Sequence, residues 1–303
     1  NPAPPPAPPA EAIEAAAAFL KGAKRPVIIA GGGTVDCAPA VTALAEALGA
    51  AVIPTIAAKG VVPDHHPLCV GATLSLEATR DLLATADVVV AAGTELSETD
   101  SWVDKLPING ALIRIDIDAA TTQRDYPADV ALVGDAGRAL SALLRQLDGH
   151  TAAPGIGGDE LAAVREKLAE LTPLQRKHVK VLDALRAALP DDGIAARDVT
   201  HLSYTGNVSF PSPNPPPWPA LANLCGPGVR QVPTTRLRRR WGGRHRTTAA
   251  RIQTGDGPSL PRHGTYPWCS PRWLFPRRSR VCCAIRKGPA HHIAPMPSSE
   301  ESG

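Results

Sequence analysis

Methionine is almost missing from this chain, since Met296 is its one example in 303 residues. Residue 1 is Asn, so the expectation is a piece of a longer protein. Long apolar runs are missing too. None approaches the roughly 18 residues of a spanning helix, which sets aside a helical membrane protein and a membrane partner. The opening NPAPPPAPPA has neither a basic n-region nor an apolar h-region. No secretory signal is therefore expected, and a reducing cytoplasm is the default compartment. Cysteine is sparse and poorly spaced. Cys37 and Cys69 stand at no disulfide-like interval, and Cys269, Cys282 and Cys283 with His291 and His292 fit no compact zinc module.

What is present divides in two. Residues 1–210 carry a net charge of −9 and residues 211–303 a net of +12, which together give the overall +3. Such a split marks either a basic nucleic-acid or membrane tail or a tail outside the fold. The arginine run Arg236–Arg240 beside Trp241 is the one feature that invites nucleic acid. No recognised module surrounds it, so nucleic acid is not the expected partner.

The first part is organised around Arg25–Asp36, RPVIIAGGGTVD, in which a buried-type strand over Val27–Ala30 runs into three glycines. A Pro/Ala linker (1–10) precedes it, then an alanine-rich helix over Glu11–Lys21, acidic at its start and basic at its end. Further helices are predicted over Ala38–Leu48, with Val41, Leu44, Ala45 and Leu48 on one face, over Leu76–Thr85, and over Ala136–Leu147 capped by Asp135. Strands are predicted over Ala51–Thr55, Asp87–Ala92, Leu112–Ile117 and Val130–Val133. Strands alternating with helices specify an α/β class with a doubly wound parallel sheet, Rossmann-like, over residues 11–150. Residues 151–173 read as a linker and a helix. Residues 174–210 read as a partial second α/β segment with a helix over Leu174–Leu189 and a strand at Ile194–Val199. Residues 211–303 show neither helical nor strand period and read as a largely disordered tail.

Several positions are candidates for binding. Gly31, Gly32 and Gly33 follow a strand, so they serve either a tight structural turn or a nucleotide or flavin contact. The fingerprint G-x-G-x-x-G fails at Asp36, and the second strand ends at Pro54–Thr55 without an acid for a ribose. An NAD site is therefore not expected. Gly93 and Thr94 open GTELSETD just beyond a central strand, where open sheets bind ligands, or else this is a solvated acidic loop. Asp116 and Asp118 either hold a ribose or flavin group or cap the next element. His65-His66 reads as surface, with no metal ligand expected.

Five phrases together, KRPVIIAGGG, LAEALGAAVIPTIAAKGVVPDHHPL, ADVVVAAGTELSETD, LIRIDID and LVGDAGRAL, resemble the central domain of thiamine-diphosphate-dependent 2-oxo-acid enzymes. That group includes acetolactate synthase, benzoylformate decarboxylase and guanidino-oxopentanoate decarboxylase, and the wording is nearest the decarboxylase branch. Residues 174–210, ending LPDDGIAARDVTHLSYTGN, resemble the start of the family's third domain. The resemblance implies three similar α/β domains, a 2-oxo-acid substrate, a dimer or tetramer, and thiamine diphosphate (ThDP) with Mg2+ in the intact enzyme. Some relatives hold FAD or ADP in the central domain. ThDP chemistry adds a carbanion to the substrate carbonyl and lets the thiazolium take up electrons as CO2 leaves. Thr200 and His201 match positions near the diphosphate in relatives, although a plain helix-start histidine is the other reading.

The activating glutamate belongs to the family's first domain, which would precede Asn1. Gly255-Asp256-Gly257 matches the metal motif in form, but PSLPRHGTYPWCSPRW follows without the expected asparagine. No metal ligand is therefore carried over, and no cofactor is assigned to this chain alone. A frameshift near Pro211–Leu221 accounts for a tail rich in Arg, Pro, Cys and Trp. The expected function is a fragment of a decarboxylase or acetolactate-synthase-like enzyme, inactive alone. The alternatives are a stand-alone nucleotide or FAD module and an adaptor with a basic tail.

Overall fold

A computed structural model describes residues 6–188 and 200–210, with the backbone of 248–252 and 281–285. Helix α1 (Ala10–Gly22) leads to β1 (Pro26–Ala30), a 3-10 turn (Gly32–Cys37) and α2 (Ala38–Leu48). Then come β2 (Ala51–Pro54), a second 3-10 turn (Ile56–Ala58), α3 (Glu77–Ala84), β3 (Val88–Ala92) and the short α4 (Glu98–Ser101). Next are β4 (Ala111–Asp116), β5 (Val130–Val133) and α5 (Ala136–Gln146). Three more helices follow: α6 (Gly158–Leu168), α7 (Pro173–Ala188) and α8 (His201–Ser209). In the tail, β6 (Thr248–Ile252) pairs antiparallel with β7 (Val281–Ile285). The other tail residues, Gly255–Gly257 among them, and the strand expected at Ile194–Val199 lie outside the described residues.

The five strands β1 to β5 form one parallel sheet in the order 2-1-3-4-5. Residues 68–70 run along the outer side of β2, with Val70 N donating to Val52 O and Val52 N to Leu68 O. The strands are Val/Ile/Ala runs because both faces are covered. Ile28, Val90, Ile113 and Leu132 face α1, α2 and α5, while Val27, Ile29, Val89 and Leu112 face α3 and α6. Helix α6 thus closes the second face, contributing Leu161 and partly buried Val164 and Leu168. Two polar ties fix it there. Glu160 receives Arg25 Nη2 at 2.6 Å, and the Arg165 guanidinium donates to the carbonyls of His66, Pro67 and Cys69.

Acidic side chains anchor the amino ends of the strands. Asp87 accepts the amides of Lys24 and Arg25 at 2.7 and 2.9 Å, and Asp129 accepts that of Leu112 at 2.7 Å. Helix starts and stops follow their caps. Asp135 accepts Arg138 N at 2.9 Å to open α5, and Gly49 at φ 60° closes α2. Pro6 and Pro8, before α1, are docked, because Pro6 O accepts Asp135 N at 2.8 Å and a side chain on Gly134 would strike Pro8.

Candidate functional site

Strand order reverses direction between β1 and β3, and a crevice at the carboxyl ends of those strands is where open α/β sheets receive ligands. The glycines of the sequence analysis meet there. Gly31 N donates to Ala92 O at 2.8 Å and Gly33 N to Gly93 O at 3.0 Å. A Cβ on Gly31 would overlap Gly93 O, and one on Gly33 would stand 2.8 Å from Gly93 Cα. Gly93, at φ +59°, is equally tight against Gly33. Two loops therefore pack backbone to backbone, and two of the three amide donors are spent on the end of β3 and the loop after it. Close packing accounts for these glycines. Gly32 and Gly33 are both exposed, and the Cβ direction of Gly32 points at Ala57.

Thr94 is buried and holds two loops. Its Oγ1 accepts Leu96 N at 3.0 Å, and its carbonyl accepts Arg114 Nη2 at 2.9 Å. Arg114 is 1% exposed on β4, between Leu112 and Asp116 in the strand's alternation. Its Nη1 donates to the carbonyls of Arg124 and Tyr126, each at 3.2 Å, while Nε finds no acceptor among the described residues. Burial lowers the Arg114 pKa, opposed by the fields of Asp116, Asp125 and Glu95. Tyr126 Oη accepts Leu106 N at 2.7 Å and so stiffens the same loop. The loops frame a polar cleft of about 270 Å³ lined by Glu95, Ser97, Glu98, Asp104, Arg124 and Asp125, among others. Carboxylates outnumber the one guanidinium in it.

Asp116 stands at the end of β4, where its carbonyl accepts Gly134 N and its carboxylate accepts Asp118 N at 2.9 Å. Asp118 in turn accepts Ala120 N at 2.9 Å. Successive aspartate turns thus start the β4–β5 connection, the capping use of these residues. In the neighbouring loop, Asp100 accepts Ile56 N at 3.2 Å, and burial raises its pKa. His65 is exposed, and His66 Nε2 lies 3.3 Å from Glu46. Burial pushes the thiols of Cys37 and Cys69 up to about 11 and about 12, so neither is a ready thiolate.

Thr200 and His201 lie on a separate element. Thr200 caps α8, its Oγ1 accepting Ser203 N at 3.2 Å, and His201 is exposed at the first helical position. The opposite end of α8 meets Lys59, whose ammonium is buried between Asp64 and Val208 O, each at 3.4 Å. The structure therefore gathers Gly31–Gly33, Gly93 and Thr94 at the switch point, sets Asp116 two strands from β1, and puts Thr200 and His201 on α8. Sequence reasoning passed over Arg114 and Lys59. The available signal was a cation inside an otherwise apolar run, LIRI for one and AAKGVV for the other.

A family model described as the thiamine pyrophosphate enzyme central domain matches residues 13–143. Residues 13–143 thus make up a central domain of the thiamine pyrophosphate enzyme type. Among similar curated proteins is the "Probable 2-ketoarginine decarboxylase" of Pseudomonas aeruginosa, 42% identical over 209 residues. That match covers 69% of this chain and 37% of the relative. The sulfoacetaldehyde acetyltransferase of Castellaniella defragrans is 36% identical over 162 residues, covering 51% of this chain and 27% of that one. The acetolactate synthase isozyme 1 large subunit of Escherichia coli is 27% identical over 217 residues, covering 69% and 38%. The chain thus spans well under half the length of these relatives. No described helix is long and apolar enough to cross a membrane.

ThDP needs a divalent metal and a cradle for its diphosphate. Among the described residues no three His, Cys, Asp or Glu side chains are placed to share a metal ion. The described residues do not assemble a ThDP–magnesium site, and no catalytic step is derived from them.

Proposed function

We propose that this chain carries the central domain and the opening helices of the cofactor domain of a ThDP-dependent 2-oxo-acid decarboxylase, with an acetolactate-synthase-like carboligase as the related alternative. The observation that supports the decarboxylase branch is the 42% identity to a protein named as a 2-ketoarginine decarboxylase. That match runs over 209 residues, beyond the 131 positions from 13 to 143. On this reading the central domain is a scaffold. It places loops at the carboxyl edge of its sheet, and α8 presents Thr200 and His201 toward the diphosphate of a complete enzyme. A 2-oxo acid with a cationic guanidino end is the substrate class, and the assembled enzyme is a dimer or tetramer.

The chain by itself is proposed to release no CO2. Purified protein incubated with ThDP, Mg2+ and a panel of 2-oxo acids is expected to match a ThDP-free control. CO2 release above that control, for any acid in the panel, contradicts the proposal. A thermal-melt comparison with FAD and ADP examines the central domain alone. Little shift is expected, because Gly31 and Gly33 have already spent their amides on strand β3 and its loop.

A further inference from the structure

We propose that Lys59 is a positioning residue that latches the carboxyl end of α8 onto the central sheet. The residue is 4% exposed, although a lysine in a surface loop ordinarily extends its ammonium into water. Burying that charge is unfavourable unless it is paired. Here it donates to Asp64 Oδ2 and to Val208 O, each at 3.4 Å. Val208 lies in the last turn of α8, where unsatisfied carbonyls gather the negative end of the helix dipole. A buried cation at that point favours one position of the helix end over others.

A second tie lies one turn back. The rings of Trp102 and Tyr204 meet edge to face, 5.9 Å apart at 71°. Trp102 is held in a left-handed conformation, φ 57°, with its amide on Glu98 O at 2.8 Å. The loops after β2 and β3 therefore each supply one contact to the same helix. On its other flank α8 packs on α7, through His178 Nδ1 to Thr205 Oγ1 at 2.8 Å and through Leu182 against Gly206. Without the Lys59 contact, α8 keeps its partner α7 but loses its registry with the sheet. The proposal depends on the docking of α8 and is independent of the cofactor reading above.

Hydrogen exchange followed by mass spectrometry on the full chain tests it. In Lys59→Met, amides of 201–209 are expected to exchange about tenfold faster, while those of β1, β3 and α5 keep their rates. Lys59→Arg, which retains the cation, is expected to restore protection to α8. Unchanged exchange in α8, an equal rise across the sheet, or loss of protection in both variants overturns the proposal. A second measurement needs no change at Lys59. Amine acetylation of the unmutated protein is expected to label Lys59 far more slowly than Lys24, and Trp102→Ala is expected to speed only the former. Equal labelling of the two lysines in the unmutated protein, or no acceleration by Trp102→Ala, overturns it.

Discussion

Gly31 and Gly22 show how far one residue type is set by its surroundings. A Cβ on Gly31 has no room against the Gly93 carbonyl and Thr94, whereas one on Gly22 meets nothing within 4 Å. Gly31→Ala is expected to cost about 1–3 kcal/mol through overpacking. Gly22→Ala, at the end of α1, is expected to be neutral or to stabilise by up to about 1 kcal/mol. Urea midpoints at unchanged slope check both. Arg114 carries the other residue-scale prediction. Arg114→Met strips donors from the carbonyls of Thr94, Arg124 and Tyr126, and each one left dry costs about 1–3 kcal/mol. Arg114→Lys keeps the charge but lacks the planar fork that reaches two loops at once, so it is expected to recover only part of the loss in the same titration. The glycine run left two uses open in sequence, a tight turn or a nucleotide contact, because both ask for backbone without a side chain. Arg114 was hidden because its acceptors are backbone carbonyls of irregular loops, 10 to 20 positions away.

At the scale of elements, the sequence was most readable where a local rule acts. The helix expected over Glu11–Lys21 occupies Ala10–Gly22, and the one expected after Asp135 is opened by that residue's carboxylate. Apolar period and caps lie within a few residues of each other, so each helix announces itself. The short α4 offers only the Ser97 cap and the 3-10 turns no side-chain cap at all, so contacts from other loops help to place them. Asp100 in α4 is the clearest case. Its carboxylate sits over the amide of Ile56, and burial outweighs that hydrogen bond to raise its pKa. The folded state therefore binds this proton more tightly than the unfolded chain does. The stabilisation is complete below the unfolded pKa and is lost as pH rises through the folded one. Asp100→Asn keeps an acceptor for Ile56 and removes the buried charge. It is expected to raise the urea midpoint at about pH 7, with a gain that shrinks as the pH approaches about 4. A gain that grows on acidification would contradict this assignment.

Among the described residues the apolar core on the two faces of the sheet is far larger than the one between α7 and α8, and that difference sets how the molecule comes apart. The sheet is buried on both faces, one of them partly by α6, which reads in sequence as part of a connecting segment. Its attachments were invisible there because Arg25 and Glu160 are 135 positions apart and Arg165 binds loop carbonyls 96 to 99 positions away. The α7–α8 pair, by contrast, buries Leu182 and Phe210 with help from Leu185 and Leu202. So small an apolar centre resists opening weakly, and the Lys59 and Trp102 contacts add only polar and edge-on aromatic support. Native-state hydrogen exchange at increasing urea is expected to show amides of α8 opening at low free energy with little denaturant dependence. Amides of β1 and β3 should open only with the global transition. The slope is the deciding quantity, because it reports the surface exposed by each opening. If α8 and β3 shared one slope and one free energy, the two cores would be a single cooperative unit. The sheet would then impose its order on the helices beyond it, and the modest hydrophobic contact between α7 and α8 would cease to be the limit on their stability.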